Sequence, residues 1–293
     1  MKYKVIISIL FCILVLFFIR IYFNSYNYNV EIDVDLCKIV WSPDESLLNQ
    51  VMEENKTEEM AWKERYNRYI TLYPDMYVDT IKPIIHIGER KIAYISFDDG
   101  PSNVTPKILD TLKEYEAKAT FFIIAGNVKE EEIDILKRII DEGHSIGIHT
   151  YSHKYSDIYS SVEAYLEDFY KVYQLIYEAT GVKTKIFRFP WGSSNTYNKK
   201  IKNELITEME RRGFIYFDWN VSAEDSIGNP SQATIKKNIL KDLDRFDAPI
   251  VLMHDSAINN NTAKILPEIL KIMKDKGYVF DILENRESYH INK

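Results

Sequence analysis

The sequence predicts a parallel α/β fold, either doubly wound or closed into a barrel, on three observations. Short β-rich runs alternate with helix-period segments from Lys91 onward. Gly143, Gly181, Gly213 and Gly277 each follow a helical segment, where a left-handed stop is expected. The unusual polar residues gather at the C-terminal ends of the strands, the edge at which parallel α/β folds bind ligands.

Seven runs read as strands: KIAYISF (91–97), TFFIIA (120–125), HSIGIH (144–149), KIFRF (185–189), FIYFDW (214–219), PIVLMH (249–254) and YVFDI (278–282). Helical periodicity appears between them in segments such as VTPKILDTLKEYEA, EEIDILKRIIDEG, SVEAYLEDFYKVYQLIYEATG, ATIKKNILKDLDR and NTAKILPEILKIMKDKG. No internal repeat or low-complexity tract interrupts the pattern.

Residues before Lys91 have a different character. Lys2 and Lys4 precede a run from Val5 to Ile19 whose one polar residue is Ser8, and Arg20 precedes Ile21, Tyr22 and Phe23. Residues 5–23 are therefore expected to enter the membrane, with Arg20 snorkelling to the interface. The flanking lysines place the short tail in the cytoplasm and the rest of the chain outside. No small-residue cleavage site follows, so an uncleaved signal anchor is expected over a removed signal peptide or a buried core helix. Further on, Ser42-Pro43-Asp44-Glu45 reads as a capping box. It would open a helix through mixed-charge sequence such as EENKTEEMAWKERYNRY, a solvated stalk carrying no chemistry.

Composition narrows the function. The chain has 293 residues, 46% hydrophobic and 28% charged, which excludes collagen, low-complexity and globally disordered classes. Two cysteines, one of them inside the expected membrane run, exclude a disulfide scaffold. A formal charge of -7 argues against nucleic acid as a ligand, because binding a phosphate backbone needs an excess of Lys and Arg. An uncharged or weakly charged substrate fits better.

Five of the seven strands end in chemistry-bearing residues. They are Asp98-Asp99-Gly100-Pro101; His149-Thr150-Tyr151-Ser152-His153; Arg188-Phe189-Pro190-Trp191-Gly192; Asp218-Trp219-Asn220; and His254-Asp255. His149 and His153, four apart, would share one face of a helical turn, and two His with one carboxylate suit a catalytic zinc. Asp98 and Asp99, read alone, also fit a turn or a helix cap. Fed by a hydrophobic strand, one of them could ligate a cation while its neighbour serves as base. His254, closing an apolar strand, is the natural acid on the opposite wall. Arg188 could pair with a carboxylate or with the surface, whereas His86, His144 and His290 read as packing or surface residues.

Together these motifs resemble the polysaccharide deacetylases of carbohydrate esterase family four, the NodB homology domain, over about 200 residues. The matching segments are SFDDGP (96–101), HTYSH (149–153), RFPWG (188–192) and LMH (252–254). The resemblance implies a distorted parallel (β/α) barrel of seven or eight strands. It also implies metal ligation by Asp99, His149 and His153, usually of zinc, with cobalt or manganese as substitutes. Asp98 would be the general base, His254 the general acid, and Arg188 the residue orienting Asp98. The backbone N–H of Trp191 would help hold the oxyanion, and Leu252 and Trp219 would line the acetyl pocket.

The fourth motif departs from the family. Its usual D-x-x-D-W is replaced by DWNVSAEDS (218–226), with Ser222 and Ser226 where Asp and Trp would stand, so Asp218 or Asp225 must partner His254 instead. The expected organisation is a tail and anchor at 1–24, a stalk at 25–86, the catalytic domain at 87–285 and a C-terminal tail at 286–293. The implied reaction is deacetylation of a cell-wall glycan outside the membrane, peptidoglycan N-acetylglucosamine before all. Chitin oligosaccharides, poly-N-acetylglucosamine, muramic acid residues and acetyl-xylan are the other substrates. A silent glycan-binding domain and a scaffold built on the stalk are the other classes of function.

Overall fold

The structure is a computed structural model that describes residues 45–79 and 91–286. The expected membrane run at 5–23, the capping box at 42–44, His86 and His290 lie outside the described residues. Among the described residues no helix is long and apolar enough to cross a membrane. The chain divides into two compact units, Met1–Asn67 and Arg68–Lys293. All that is described of the first unit lies in helix α1, Glu45–Thr71, and the features below belong to the second.

Among its described residues the second unit carries eight strands, one more than the sequence suggested. They are β1 (Lys91–Gly100), β2 (Ala119–Ile124), β3 (Ser145–Thr150), β4 (Ile186–Phe187), β5 (Ile215–Tyr216), β6 (Val221–Ser222), β7 (Ile250–His254) and β8 (Tyr278–Phe280). Seven helices connect them: α2 (Thr105–Glu114), α3 (Ile133–Asp141), α4 (Tyr155–Ile158), α5 (Val162–Thr180), α6 (Lys202–Arg211), α7 (Gln232–Leu243) and α8 (Asn260–Asp275). All strand pairs are parallel, in the order β5-β4-β3-β2-β1-β7-β6, and β8 pairs with the first three residues of β1. The unforeseen strand, β6, is two residues long, too short to leave a periodicity.

The ends of this sheet order are consecutive in sequence. Residues 217–220 alone separate β5 from β6, and such a stretch reaches roughly 18 Å at most. The sheet must therefore curl into a half-barrel, consistent with the distorted barrel that the resemblance implies, and among the described residues no ladder joins β5 to β6. This open seam is where the sheet departs from a regular barrel.

The strands bury both faces, as parallel strands do. Odd-numbered residues of β1, among them Ala93, Ile95 and Phe97, join the large core beneath the helices. Ile92 and Tyr94 join a smaller cluster with Phe122, Ile186, Phe217, Ile250 and Leu283. Period-2 alternation then carries this second face up to Ser96 and Asp98 on β1, and to Leu252 and His254 on β7. Ladder register sets Ser96 opposite Leu252 and Asp98 opposite His254. Gly147 fits this interior because a Cβ there would lie 2.5 Å from the Phe122 ring.

Candidate active site

Two irregularities aim the site residues. Along the β1–β2 ladder Asp98 faces Phe122 and Gly100 faces Ile123, leaving Asp99 as the extra residue. Along β2–β3, Ile123 faces Ile148 and Ile124 faces Thr150, leaving His149 as the extra one. Such bulges redirect single side chains at the rims of barrels. Asp99 has φ 74° and His153 φ 51°, both left-handed. His153 thus lies in the loop after β3, and the expected helical turn is not what joins the two imidazoles; a bulged strand end and a sharp loop join them.

The result is a three-residue cluster. His149 Nε2 lies 3.5 Å and His153 Nε2 3.7 Å from Asp99 Oδ1, and the possible ligand atoms all lie within 4.8 Å of one another. His149 Nδ1 lies 2.8 Å from the Arg188 carbonyl, to which it can only donate, so Nε2 is left as the unprotonated nitrogen of the neutral ring. Burial and the neighbouring His149 lower the pKa of His153, which favours its neutral, ligating form. Asp99 Oδ1 is buried with no hydrogen-bond partner. An orphaned carboxylate oxygen facing two imidazole nitrogens fits a bound cation, and the donor set suits zinc and its neighbours.

Asp98 is held separately. Its Oδ1 accepts from Arg188 Nη1 at 2.8 Å, and its Oδ2 lies 4.0 Å from His149 Nε2. Arg188 is fully buried, its guanidinium lying 4.2 Å over the Phe122 ring and 5.7 Å from that of Trp219. It also donates to Ser96 Oγ and to the carbonyls of Phe217 and Asp218. One buried cation therefore orients the carboxylate and satisfies backbone carbonyls left unpaired by the open seam.

The acid partner of His254 is Asp225. Its Oδ1 lies 2.7 Å from His254 Nδ1, and its Oδ2 accepts the His254 backbone N–H at 2.9 Å. Thr262 donates to Asp225 Oδ2, and Asn259 donates to the Asp225 carbonyl. Asp218 does not take this place. Its carboxylate accepts from the N–H and hydroxyl of Ser193, pinning the loop that carries Trp191 and Gly192. The expectation that Asp218 could serve His254 is corrected accordingly, because the seam turns its side chain toward β4 instead of β7. Trp219 packs against the interior cluster, and Leu252 lies buried two residues before His254.

Two supporting residues have no role assigned by the sequence. Asp168 on α5 accepts from Thr150 Oγ1 at 2.5 Å and from the N–H groups of Tyr151 and Ser152 at 2.6 and 2.9 Å, tying down the loop between the two histidines. Asp255 is buried against Gly100, where a Cβ would collide with its carboxylate. Its N–H donates to the Asp98 carbonyl, its carbonyl accepts from Ser102 Oγ, and its Oδ2 accepts from Thr105 Oγ1. Burial raises the Asp255 carboxyl to about 7; the Thr105 hydrogen bond opposes that rise, and the Asp99 and Asp98 charges add to it. Position beside His254 was the one available hint for Asp255. Asp168 left none, being one acid among several on a mixed-charge helix. His144, by contrast, is the packing residue it was expected to be, buried and accepting the Ala119 N–H at Nδ1.

A parallel curled sheet carries at one mouth a carboxylate–histidine cluster that could hold a metal ion and a flanking acid–histidine pair, side chains suited to hydrolytic chemistry. Comparison with known proteins agrees. The family model described as polysaccharide deacetylase matches residues 87–209. A peptidoglycan-N-acetylglucosamine deacetylase of Bacillus cereus is 35% identical over 209 residues, covering 70% of this chain and 73% of its own. The catalytic domain of a peptidoglycan N-acetylglucosamine deacetylase from Eubacterium rectale superposes with a TM-score of 0.65 at 32% identity, over 75% of this chain and 100% of that one. A polysaccharide deacetylase structure from Bacillus cereus gives 0.61 at 34% identity, over 69% and 96%. The chain belongs to the polysaccharide deacetylase family. It is a hydrolase acting on N-acetyl amide bonds.

Proposed function

We propose that this chain removes acetyl groups from N-acetylglucosamine residues of peptidoglycan with the help of a divalent metal ion, zinc first. The observation that carries the reading is the separation of roles at the barrel mouth. Asp98 is locked by Arg188 outside the Asp99/His149/His153 cluster, and His254 is locked by Asp225 on the neighbouring strand. Support for the substrate comes from relatives named for that sugar.

Asp99, His149 and His153 would hold the ion, which when bound supplies Lewis acidity toward the amide carbonyl and the attacking water. Asp98 takes the proton of the water as its oxygen bonds to the carbonyl carbon. The Trp191 N–H donates to the developing oxyanion, and Leu252 and Trp219 enclose the acetyl methyl. His254 then protonates the departing nitrogen, the carbon–nitrogen bond breaks, and acetate and a free amine result. Each of these proton transfers is worth about 10²–10⁴-fold in rate. Residues 5–23 would anchor the enzyme in the cell membrane, with residues 25–86 as the stalk and the catalytic domain at 87–285 on the outer side, beside the wall.

Acetate release from N-acetylated glycans with and without added Zn²⁺ tests the reaction. Asp98→Asn is expected to lower turnover by about 10²–10⁴-fold while metal content stays at the wild-type level. Activity that survives exhaustive chelation would remove the metal, and substantial turnover by Asp98→Asn would remove the base.

A further inference from the structure

Alternation along the strands sets a layer of three side chains directly beneath the reacting groups. Ladder register places Ser96 of β1 opposite Leu252 of β7, and Leu252 opposite Ser222 of β6. Their strand neighbours Ile95, Phe97, Val251, Met253, Val221 and Ala223 all belong to the core beneath the helices, so these three side chains turn together to the barrel interior. Two residues further along β1 and β7, the same face carries Asp98 and His254.

Of the three, Ser222 has no part in the hydrolysis. Ser96 Oγ donates to the Val251 carbonyl and accepts from Arg188 Nη1, so its proton is committed to the scaffold. Ser222 differs. Its Oγ accepts the Glu224 N–H at 3.1 Å, and among the described residues no acceptor receives its proton. It is half-buried, so a ligand can reach it. Adjacent strands lie about 4.8 Å apart, which puts this hydroxyl beside the Leu252 side chain that encloses the acyl methyl. The two neighbours make unlike demands. An acetyl methyl satisfies Leu252, but once water is displaced it leaves the Ser222 proton without an acceptor, at a cost in binding. A hydroxyl on that same carbon would accept the proton while its CH₂ still packs on Leu252.

We propose that Ser222 is a specificity-determining residue of the acyl pocket, through which the enzyme accepts N-hydroxyacetyl (glycolyl) groups on its glycan as well as N-acetyl groups. Ser222 Oγ donates to the acyl hydroxyl. Water adds to the amide carbonyl and the carbon–nitrogen bond breaks as for acetyl, so glycolate leaves and the sugar keeps a free amine. This inference rests on the glycan-deacetylase reading above and deepens it, and its test is arranged so that either can fail alone.

The full chain with added Zn²⁺ is given the β-1,4-linked tetramer of N-acetylglucosamine and its N-glycolyl counterpart, and released acetate and glycolate are measured. The wild-type chain is expected to release both. Ser222→Ala deletes only the hydroxyl and is expected to lower the glycolyl-to-acetyl ratio of kcat/KM about tenfold. Glu224 is exposed, so water replaces the lost acceptor of its N–H, and an unchanged melting temperature confirms the fold. Acetate without glycolate from the wild-type chain overturns the proposal and keeps the deacetylase. A ratio that Ser222→Ala leaves unchanged does the same, even where both rates fall, because it places Ser222 away from the acyl group. If neither acid is released, the deacetylase reading fails, and calorimetric titration of both tetramers into the wild-type chain and Ser222→Ala decides the contact. Loss of a glycolyl preference in the variant then keeps it, and equal ratios of Kd overturn it.

Discussion

At the scale of single residues, the proposed mechanism makes His254 the group that would set the pH behaviour. Burial alone would lower its pKa, but the hydrogen bond and charge of Asp225, with the charges of Asp98 and Asp99, outweigh burial and raise it to about 9. A proton donor must carry its proton, so the competent form persists below that value and is lost as pH rises through about 9. Asp225→Asn removes the strongest raising influence and leaves the burial in place. The alkaline limb of the kcat–pH profile is then expected to fall by about two pH units, toward or below the ordinary value of about 6.5. A limb that stays near 9 would show that another group donates the proton. The sequence narrowed this partner to Asp218 or Asp225 and could go no further, because spacing within a loop carries no direction.

At the scale of elements, the metal-competent cluster depends on two bulges and one distant carboxylate. Asp99 and His149 are each the unpaired extra residue of a parallel ladder, and neither bulge leaves a mark in hydrophobic alternation. The loop running from Thr150 to His153 is held by Asp168, eighteen residues beyond Thr150 on α5. Asp168→Ala leaves two backbone N–H groups and a hydroxyl without their acceptor, and His153 loses the frame that keeps its left-handed backbone. Outer partners of this kind typically contribute about 10–100-fold in metal affinity. A competitive zinc-chelator titration is expected to show a loss of that size, with Asp168→Glu recovering part of it. Unchanged zinc affinity in Asp168→Ala would reduce the residue to a local fold stabiliser.

At the scale of the whole catalytic unit, the compact body takes in residues that precede the family match, which begins at residue 87. The compact unit begins at Arg68, and Tyr69 and Met76 are core residues. Arg212, fully buried, pairs with Glu208 and donates to the carbonyls of Tyr69, Leu72, Tyr73 and Met76. A chain starting at Ile87 would lose those acceptors together with the buried Tyr69 and Met76 side chains, opening Arg212 to water. Relative to a chain starting at Arg68, it is expected to lose about 3–5 kcal/mol of stability, read as a lower denaturant midpoint. Equal midpoints for the two chains would place residues 68–86 outside the cooperative unit. The segment was read as stalk because its charges look solvated from the sequence, whereas Arg212 lies 136 residues beyond Met76.

The amino-acid sequence by itself determined the parallel α/β class, the strand edge that carries the chemistry, and the identity of the two aspartates, two histidines, Arg188 and His254. Those follow from local periodicity and motif spacing, which act over a few residues. Only the tertiary structure decided that Asp225 and not Asp218 holds His254, that bulges and not a helical turn gather the metal-competent side chains, that Asp168 and Asp255 brace the loops around them, and that residues 68–79 pack around Arg212. Each of these depends on contacts between segments far apart in the chain. Such contacts are set by how the sheet curls and where its seam stays open, and no short window of sequence encodes that geometry.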